Sequence, residues 1–288
     1  MKIKDINLKY GVMLAPMAGF TDRAMRLVCH KHGSEYSISE MVSAKAVCFG
    51  DKKTHTIARI KEDEGVCAVQ IFGSEPDIMA RAAEILSAGE EGGISPCAID
   101  INMGCPVHKV YSNGEGSALM KYPDLVYKIV ERVSKSIDIP CTVKRRAGID
   151  EKSNNAVDCA LAAEAGGARA VAVHGRTRDE MYSGKADMEI IKNVKQALHI
   201  PVIANGDITN GEEAMRVFSE TGADGIMVGR GAIGNPFVFS EIICALSGKS
   251  YTQPTLEERI EAALFQLSEA IVEKGENIAV RESRKQAA

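Results

Sequence analysis

Eight short apolar runs punctuate the chain, each closed by small or polar residues. The first four are GVMLAPMAG from Gly11, YSISEMVS from Tyr36, VCAVQIFG from Val66 and CAIDINMG from Cys97. PCTVKRRAG from Pro140, AVAVHGRT from Ala170, PVIANGDI from Pro201 and GIMVGRGA from Gly225 follow. The runs are nearly continuous in hydrophobicity, as parallel strands buried on both faces require. Between them lie stretches with helical spacing, among them DIMARAAEILSAG, PDLVYKIVERVSK, NAVDCALAAEAGG and GEEAMRVFSETGA, several stopping at glycine. Successive runs start about 25 to 40 residues apart, the size of one β-α unit. Eight such units in about 235 residues predict an α/β fold, a (β/α)₈ barrel, in preference to a doubly wound sheet. After Gly231 the strands cease. NPFVFSEIICALSG and PTLEERIEAALFQLSEAIVEKG read as successive helices, which predicts a barrel over 1–240 and the start of a small helical domain over 241–288.

Composition narrows the setting. Forty-five per cent hydrophobic residues in 288 supply a sizeable core, and the formal charge of -4 argues against coating nucleic acid by bulk charge while allowing a local basic stripe. No apolar run reaches the ~18 residues of a membrane span, and the first ten residues lack a signal-peptide centre. The eight cysteines form no C-x-x-C pair and sit mostly in apolar runs, which suits a reducing cytoplasm and gives no metal site.

Barrel enzymes carry their chemistry at the C-terminal ends of the strands. The polar residues at those ends are Gln70, Asn102, Lys144, His174, Asn205 with Asp207, and Arg230. Taken singly, each has an ordinary explanation: a strand cap, a snorkelling lysine, a satisfied core histidine. Six strands converging on one mouth make a site the better reading. The glycines of IANGDI and VGRGAIGNP, after strands seven and eight, suit a phosphate held by backbone N–H groups and the Arg230 fork. Cys105 differs from the other cysteines. It leaves its apolar run between Gly104 and Pro106, with His108 and Lys109 close by, surroundings that suit a thiol in proton transfer.

APMAGFTDRAMR, QIFGSEP, DINMGCPVHKVYSNGEGSALM, TVKRRAG, HGRTRDEMYSGKAD, IANGDI and VGRGAIGNPFVF occur in that order. With these segments the chain resembles the tRNA-dihydrouridine synthases, most closely the bacterial B-type. The resemblance implies FMN backed by Pro16, Met17 and Ala18, edged by Gln70, Lys144 and His174, and held at its ribityl chain and phosphate by Asn205, Gly206, Asp207, Gly229 and Arg230. It implies that NADPH (or NADH) reduces the flavin, that hydride passes to C6 of a flipped-out uracil, and that Cys105 protonates C5. Asn102 would bind the uracil edge, and Lys109, Arg176 and Arg178 would meet phosphates of the tRNA partner. A cytoplasmic monomer is the expected form. The chain departs from the family pattern at Ile149 and Met188, where tryptophans are common, and at His108, where lysine is frequent. Its AVRESRKQAA segment predicts a shortened helical domain that retains Arg281, Arg284 and Lys285. Two alternatives stay open: a flavin barrel acting on a free dihydroorotate- or dihydropyrimidine-type molecule, and a flavin-loaded RNA-binding module without turnover.

Overall fold

The structure, a computed structural model, describes residues 1–150, 152–153 and 155–286. All eight apolar runs form parallel strands: β1 (Val12–Leu14), β2 (Tyr36–Ile38), β3 (Cys67–Phe72), β4 (Ile99–Met103), β5 (Cys141–Arg146), β6 (Val171–His174), β7 (Val202–Asn205) and β8 (Gly225–Val228). Each pairs with its neighbour, β8 pairs with β1, and β2 pairs with β3 through Ser37 and Cys67, so the sheet closes on itself. The (β/α)₈ barrel is therefore the observed fold. A two-residue strand at Val42–Ser43 lies beside Ile71–Phe72, and an antiparallel hairpin of Lys2–Ile3 with Ile6–Asn7 precedes β1. These two pairs are too short for periodicity to announce.

Closure splits the apparently uniform runs by parity, because successive strand side chains point to opposite faces. Val12, Leu14, Val69, Ile71, Ile99, Ile101, Val143, Val171 and Val173 pack outward against the helices in one large cluster. Met13, Tyr36, Ile38, Ala68, Ala98, Ala170, Ala172, Ile203 and Met227 pack inward, with Ile3 and Leu8 joining them from the N-terminal segment. Four of these interior positions are alanine, and small side chains leave room in the barrel for larger polar ones on the same parity. Ile149 and Met188 are buried in the outer cluster.

The helices follow the predicted stretches, and their ends have physical causes. Pro76 and Pro123 open helices Pro76–Ser87 and Pro123–Ser136 at the first turn, where proline lacks only an N–H that would be unpaired anyway. Thr255 and Glu258 form a reciprocal capping box at the start of Leu256–Lys274.

The division expected at residue 240 is corrected. Helix Val238–Leu246 straddles that point, and Val238, Phe239 and Ile242 are fully buried in the barrel's outer core. It is the eighth barrel helix. The appended part begins at Leu256 and comprises Leu256–Lys274 and Glu276–Ser283. That part is tied to helix Arg23–Lys31 and its cap mainly by charge. Arg23 meets Glu269 at 2.6 Å, and Lys274 meets both Asp22 (2.6 Å) and Glu282 (2.7 Å). Among the described residues the apolar contact there is a patch of Ala24, Ala270 and Ala279 flanked by the half-buried Leu267 and Ile271, with Ala262 and Phe265 reaching the barrel's outer cluster. Among the described residues no helix is long and apolar enough to cross a membrane.

These placements separate two substitutions. Phe239→Ala is expected to cost about 3–5 kcal/mol through the cavity it leaves. Leu264→Ala, at a position 60 % exposed, should cost less than about 1 kcal/mol. Urea unfolding of the two variants measures the difference, and equal costs would return helix Val238–Leu246 to the appendage.

Candidate active site

Strands β3, β4 and β5 carry a buried hydrogen-bond chain that starts at Asp100 and Thr142, near the beginnings of β4 and β5, and rises towards their C-terminal ends. Strand register sets Gln70 beside Asp100 and Asp100 beside Thr142. The Thr142 hydroxyl donates to Asp100 Oδ1 at 2.6 Å, and Gln70 Nε2 donates to Asp100 Oδ2 at 2.7 Å. Asn102 Nδ2 donates to Gln70 Oε1 at 2.9 Å. Asn102 Oδ1 then accepts the backbone N–H groups of Gly104 (3.2 Å) and Cys105 (2.9 Å). The chain thus runs unbroken from the barrel interior to the cysteine loop. Burial pushes the Asp100 carboxyl up to about 6, against the opposing pull of its two donors and Lys144.

Cys105 sits just beyond β4 and is only 9 % exposed. Its carbonyl accepts the Ser117 N–H at 3.2 Å, which folds the 105–117 loop back on itself. Gly116 permits this approach, since a Cβ there would stand 3.1 Å from Cys105 Cβ and its φ is +59°. Burial raises the thiol above its ordinary range, opposed by the Val107 N–H and the charges of Arg146 and Lys144.

Lys144 and Arg146 stand on β5 on the parity of Thr142. Lys144 makes no hydrogen bond or ion pair within the described residues, and burial with the neighbouring Arg146 pushes its ammonium down to about 8. Arg146 is 4 % exposed and donates to the carbonyls of Gly104, Thr177 and Met181 at 2.8–3.1 Å. His174, across the ladder from Arg146, is 8 % exposed. Its pKa is forced far down by burial and by Lys144, Arg146, Arg176 and Arg230, so the ring is neutral.

The loop after β6 is pinned from beneath by two arginines. Arg146 takes Thr177 and Met181, while Arg176 donates to the carbonyls of Ser183 (2.9 Å) and Gly184 (2.7 Å). Arg176 also forms a two-pronged pair with Asp207 at 2.8 and 2.9 Å, a strong, geometrically selective arrangement. Above them the Tyr182 ring stands near two cations, 4.9 Å from Arg230 and 5.6 Å from Arg146. Asn205 is turned inward to the Met227 carbonyl at 2.7 Å. Gly206 takes φ +130°, with no room for a Cβ, which would fall 2.6 Å from Ala186 Cβ. At Gly229, by contrast, a Cβ would approach only Met17 Sδ (3.7 Å) and Ala15 Cβ (3.8 Å), leaving backbone accessible beside Met17.

The structure therefore gathers Gln70, Asn102, Cys105, Lys144, His174, Asn205, Gly206, Asp207, Gly229 and Arg230 at one mouth, with Pro16 and Met17 half-buried and Ala18 exposed at its rim. Arg176 departs from its expected place. It is 2 % exposed and its N–H groups are taken up by Asp207, the two carbonyls and, at 3.4 Å, His174 Nε2. Asn102 has one N–H left after its three bonds, not a free amide. Lys109 is exposed on helix His108–Ser112. Arg178 pairs with Asp179 at 2.6 Å and stacks on Tyr111 at 4.1 Å, with Lys121 on the same ring at 4.8 Å. The sequence reading missed Asp100 and Arg146. Each lies two residues from a chosen one, on the same strand face, and Asp100 is a charge inside an apolar run. A half-buried cation without a partner among the described residues, a neutral imidazole and an open glycine backbone suit an acceptor-rich, anionic, phosphate-bearing cofactor.

Residues 13–288 match the family model described as dihydrouridine synthase. The chain is 42% identical to tRNA-dihydrouridine synthase B of Pasteurella multocida over 97% of its own length and 84% of that protein's. It is 42% identical to the protein of the same name from Vibrio vulnificus, over 99% and 87%. A probable tRNA-dihydrouridine synthase of Rickettsia bellii is 40% identical, over 99% and 86%. Among solved structures, an old yellow enzyme homologue from Zymomonas mobilis superposes with a TM-score of 0.62 at 14% identity, covering 90% of this chain and 94% of that one. This likeness concerns the barrel fold.

The electrostatics give a pH-dependent expectation. Lys144 is protonated up to about 8 in the fold and to about 10.4 when unfolded. The folded protein thus carries the full penalty below pH 8 and sheds it as pH rises from 8 towards 10.4. Lys144→Met should therefore stabilise the cofactor-free protein by about 2 kcal/mol at pH 7, with the gain vanishing near pH 10.5. Thermal melts of both proteins across that range measure it, and a pH-independent difference would refute the assignment.

Proposed function

The chain belongs to the dihydrouridine synthase family, and from that premise we propose that it reduces uracil bases of tRNA to 5,6-dihydrouracil, with FMN bound in the barrel mouth, NADPH as electron donor and Cys105 as proton donor. It is an enzyme of that family, and the state of the Cys105 thiol carries the choice of role. Burial holds the thiol above its ordinary range, so at neutral pH it keeps its proton. A thiol that keeps its proton is a poor nucleophile and still has a proton to give. Lys144 and Arg146 stand close enough to influence it, and they lower the cost of the thiolate left once the proton has gone.

The chemistry that a bound, reduced FMN would supply in this mouth is a hydride for C6 of the uracil. The C5–C6 π bond is consumed, the Cys105 proton goes to C5, and the thiolate regains a proton from solvent. The protein's task is to hold and to exclude. Lys144 and the neutral His174 would edge the cofactor's polar rim; Gly206, Gly229 and Arg230 would receive its ribityl chain and phosphate; Pro16, Met17 and Ala18 would back its ring. Asn205 and Asp207 act mainly on the protein's own side, since Asn205 holds the Met227 carbonyl and Asp207 neutralises Arg176. The remaining Asn102 N–H is available to an acceptor on the uracil edge. Lys109, Arg178 and Lys121 lie on segments flanking the Cys105 loop, and such cations meet RNA phosphates. A stacked Tyr111 between two of them stiffens that face.

Cys105→Ala should slow dihydrouridine formation on unmodified tRNA by about 100-fold or more, while NADPH still reduces the bound flavin at the wild-type rate. Mass spectrometry of the tRNA and stopped-flow absorbance of the flavin read the two steps separately. Free uridine assayed in parallel should turn over poorly. Equal turnover of nucleoside and tRNA would favour a small-molecule barrel reductase, and undiminished tRNA reduction by the variant would remove Cys105 from its role.

A further inference from the structure

The hydrogen-bond chain beneath the site has a direction. Thr142 and Gln70 both donate to Asp100, and an ionised carboxylate can only accept. Gln70 must then offer its Nε2 to Asp100 and turn its Oε1 towards Asn102. That oxygen selects the Nδ2 side of Asn102, which leaves Asn102 Oδ1 facing the N–H groups of Gly104 and Cys105. Were Gln70 reversed, Asn102 would present its amide N–H₂ to those backbone N–H groups, donor against donor. Each amide in the series is therefore set by its predecessor, and the first is set by the carboxylate.

We propose that Asp100 is a positioning residue whose acceptor-only carboxylate orients Gln70 and Asn102 and thereby holds the Cys105 loop in its proton-donating shape. The proposal deepens the reading of Cys105 as proton donor and rests on it for its catalytic meaning, but the loop geometry is testable on its own. Asp100 is 1 % exposed, so bulk water does not reach the relay. Its neighbours give it no competing partner that is anionic at neutral pH. Lys144 lies on β5, while the Tyr36 hydroxyl from β2 and the Cys141 thiol from β5, the other titratable groups close enough to feel its charge, both stay protonated because burial raises them. The carboxyl, pushed up to about 6, is ionised at pH 7 and can itself donate once protonated below pH 6. The enforced direction is then present above about pH 6 and lost beneath it.

The test moves the acceptor along the chain. Asp100→Asn removes the enforced direction. Asp100→Asn combined with Gln70→Glu restores it, because a carboxylate at position 70 accepts both from the amide introduced at position 100 and from Asn102. In flavin-free protein, iodoacetamide alkylation of Cys105 is followed by peptide mass spectrometry, with the half-buried Cys244 as internal standard. The single variant is expected to alkylate Cys105 at least five-fold faster than wild type at pH 7, and the double variant to return within two-fold. In the unaltered protein the Cys105 rate, corrected for thiolate fraction and taken against Cys244, should rise as pH falls through about 6. This measurement decides the matter even if the single variant fails to fold. A single variant within two-fold of wild type, a folded double variant that stays fast, or a flat wild-type ratio overturns the proposal. Loss of the proton-donor reading would show separately, as full tRNA reduction by Cys105→Ala, and would leave these alkylation outcomes unaffected.

Discussion

The pairing of β2 with β3 closes the sheet, and the rest of the molecule depends on that closure. In an open sheet both faces of each strand would be covered by helices, and a polar side chain on either face would meet apolar packing. Closed, the barrel gives one parity to the helices and the other to a lumen lined with alanines. The lumen can then carry Asp100, Thr142, Gln70, Asn102, Lys144 and His174 on one parity without disturbing the outer core.

Those interior groups are costly to bury. A carboxylate and two guanidinium groups (Asp100, Arg146 and Arg176) are withdrawn from water at or near the same mouth, and the Lys144 ammonium is half-buried beside them. The cost is offset by hydrogen bonds that end on backbone carbonyls or on a carboxylate, so that nearly every charge has a defined partner. Lys144 is the exception among the described residues, and an unpartnered cation at a cleft marks a candidate ligand site. The same arginines fasten the loop after β6, so the cation cluster that repels protons from His174 also fixes the wall of the site. The appended helices are held differently, with ion pairs from Arg23, Lys61 and Lys274 at their base beside a limited apolar contact.

Much of this was legible in the chain. Eight apolar runs spaced by one β-α unit announced the barrel, and the rule that chemistry lies at strand ends selected Gln70, Asn102, Lys144, His174, Asn205 and Arg230 from the sequence alone. Cys105 stood out because it left its run for a glycine–proline loop. Asp100 and Arg146 were missed because a polar residue inside an apolar run reads as noise until the strand's parity is known. Arg176 was misplaced for the converse reason: sequence cannot tell an arginine reaching outwards from one folded beneath its own loop onto Asp207. The boundary at residue 240 slipped because helix Val238–Leu246 has the same periodicity whether it completes a barrel or begins an appendage.

The amino-acid sequence by itself determined the number, order and type of elements, since hydrophobic period and helix punctuation are local properties. It also determined which residues have the chemical capacity to donate a proton, hold a phosphate or carry charge. Only the tertiary structure decided which of them face one another. Asp100 and Gln70 are 30 residues apart and Arg176 and Asp207 are 31 apart, and nothing local brings such pairs together. Strand register and barrel closure do so. A hydrogen bond or a desolvated charge depends on distances of a few ångströms, and register is the quantity that converts sequence separation into such distances.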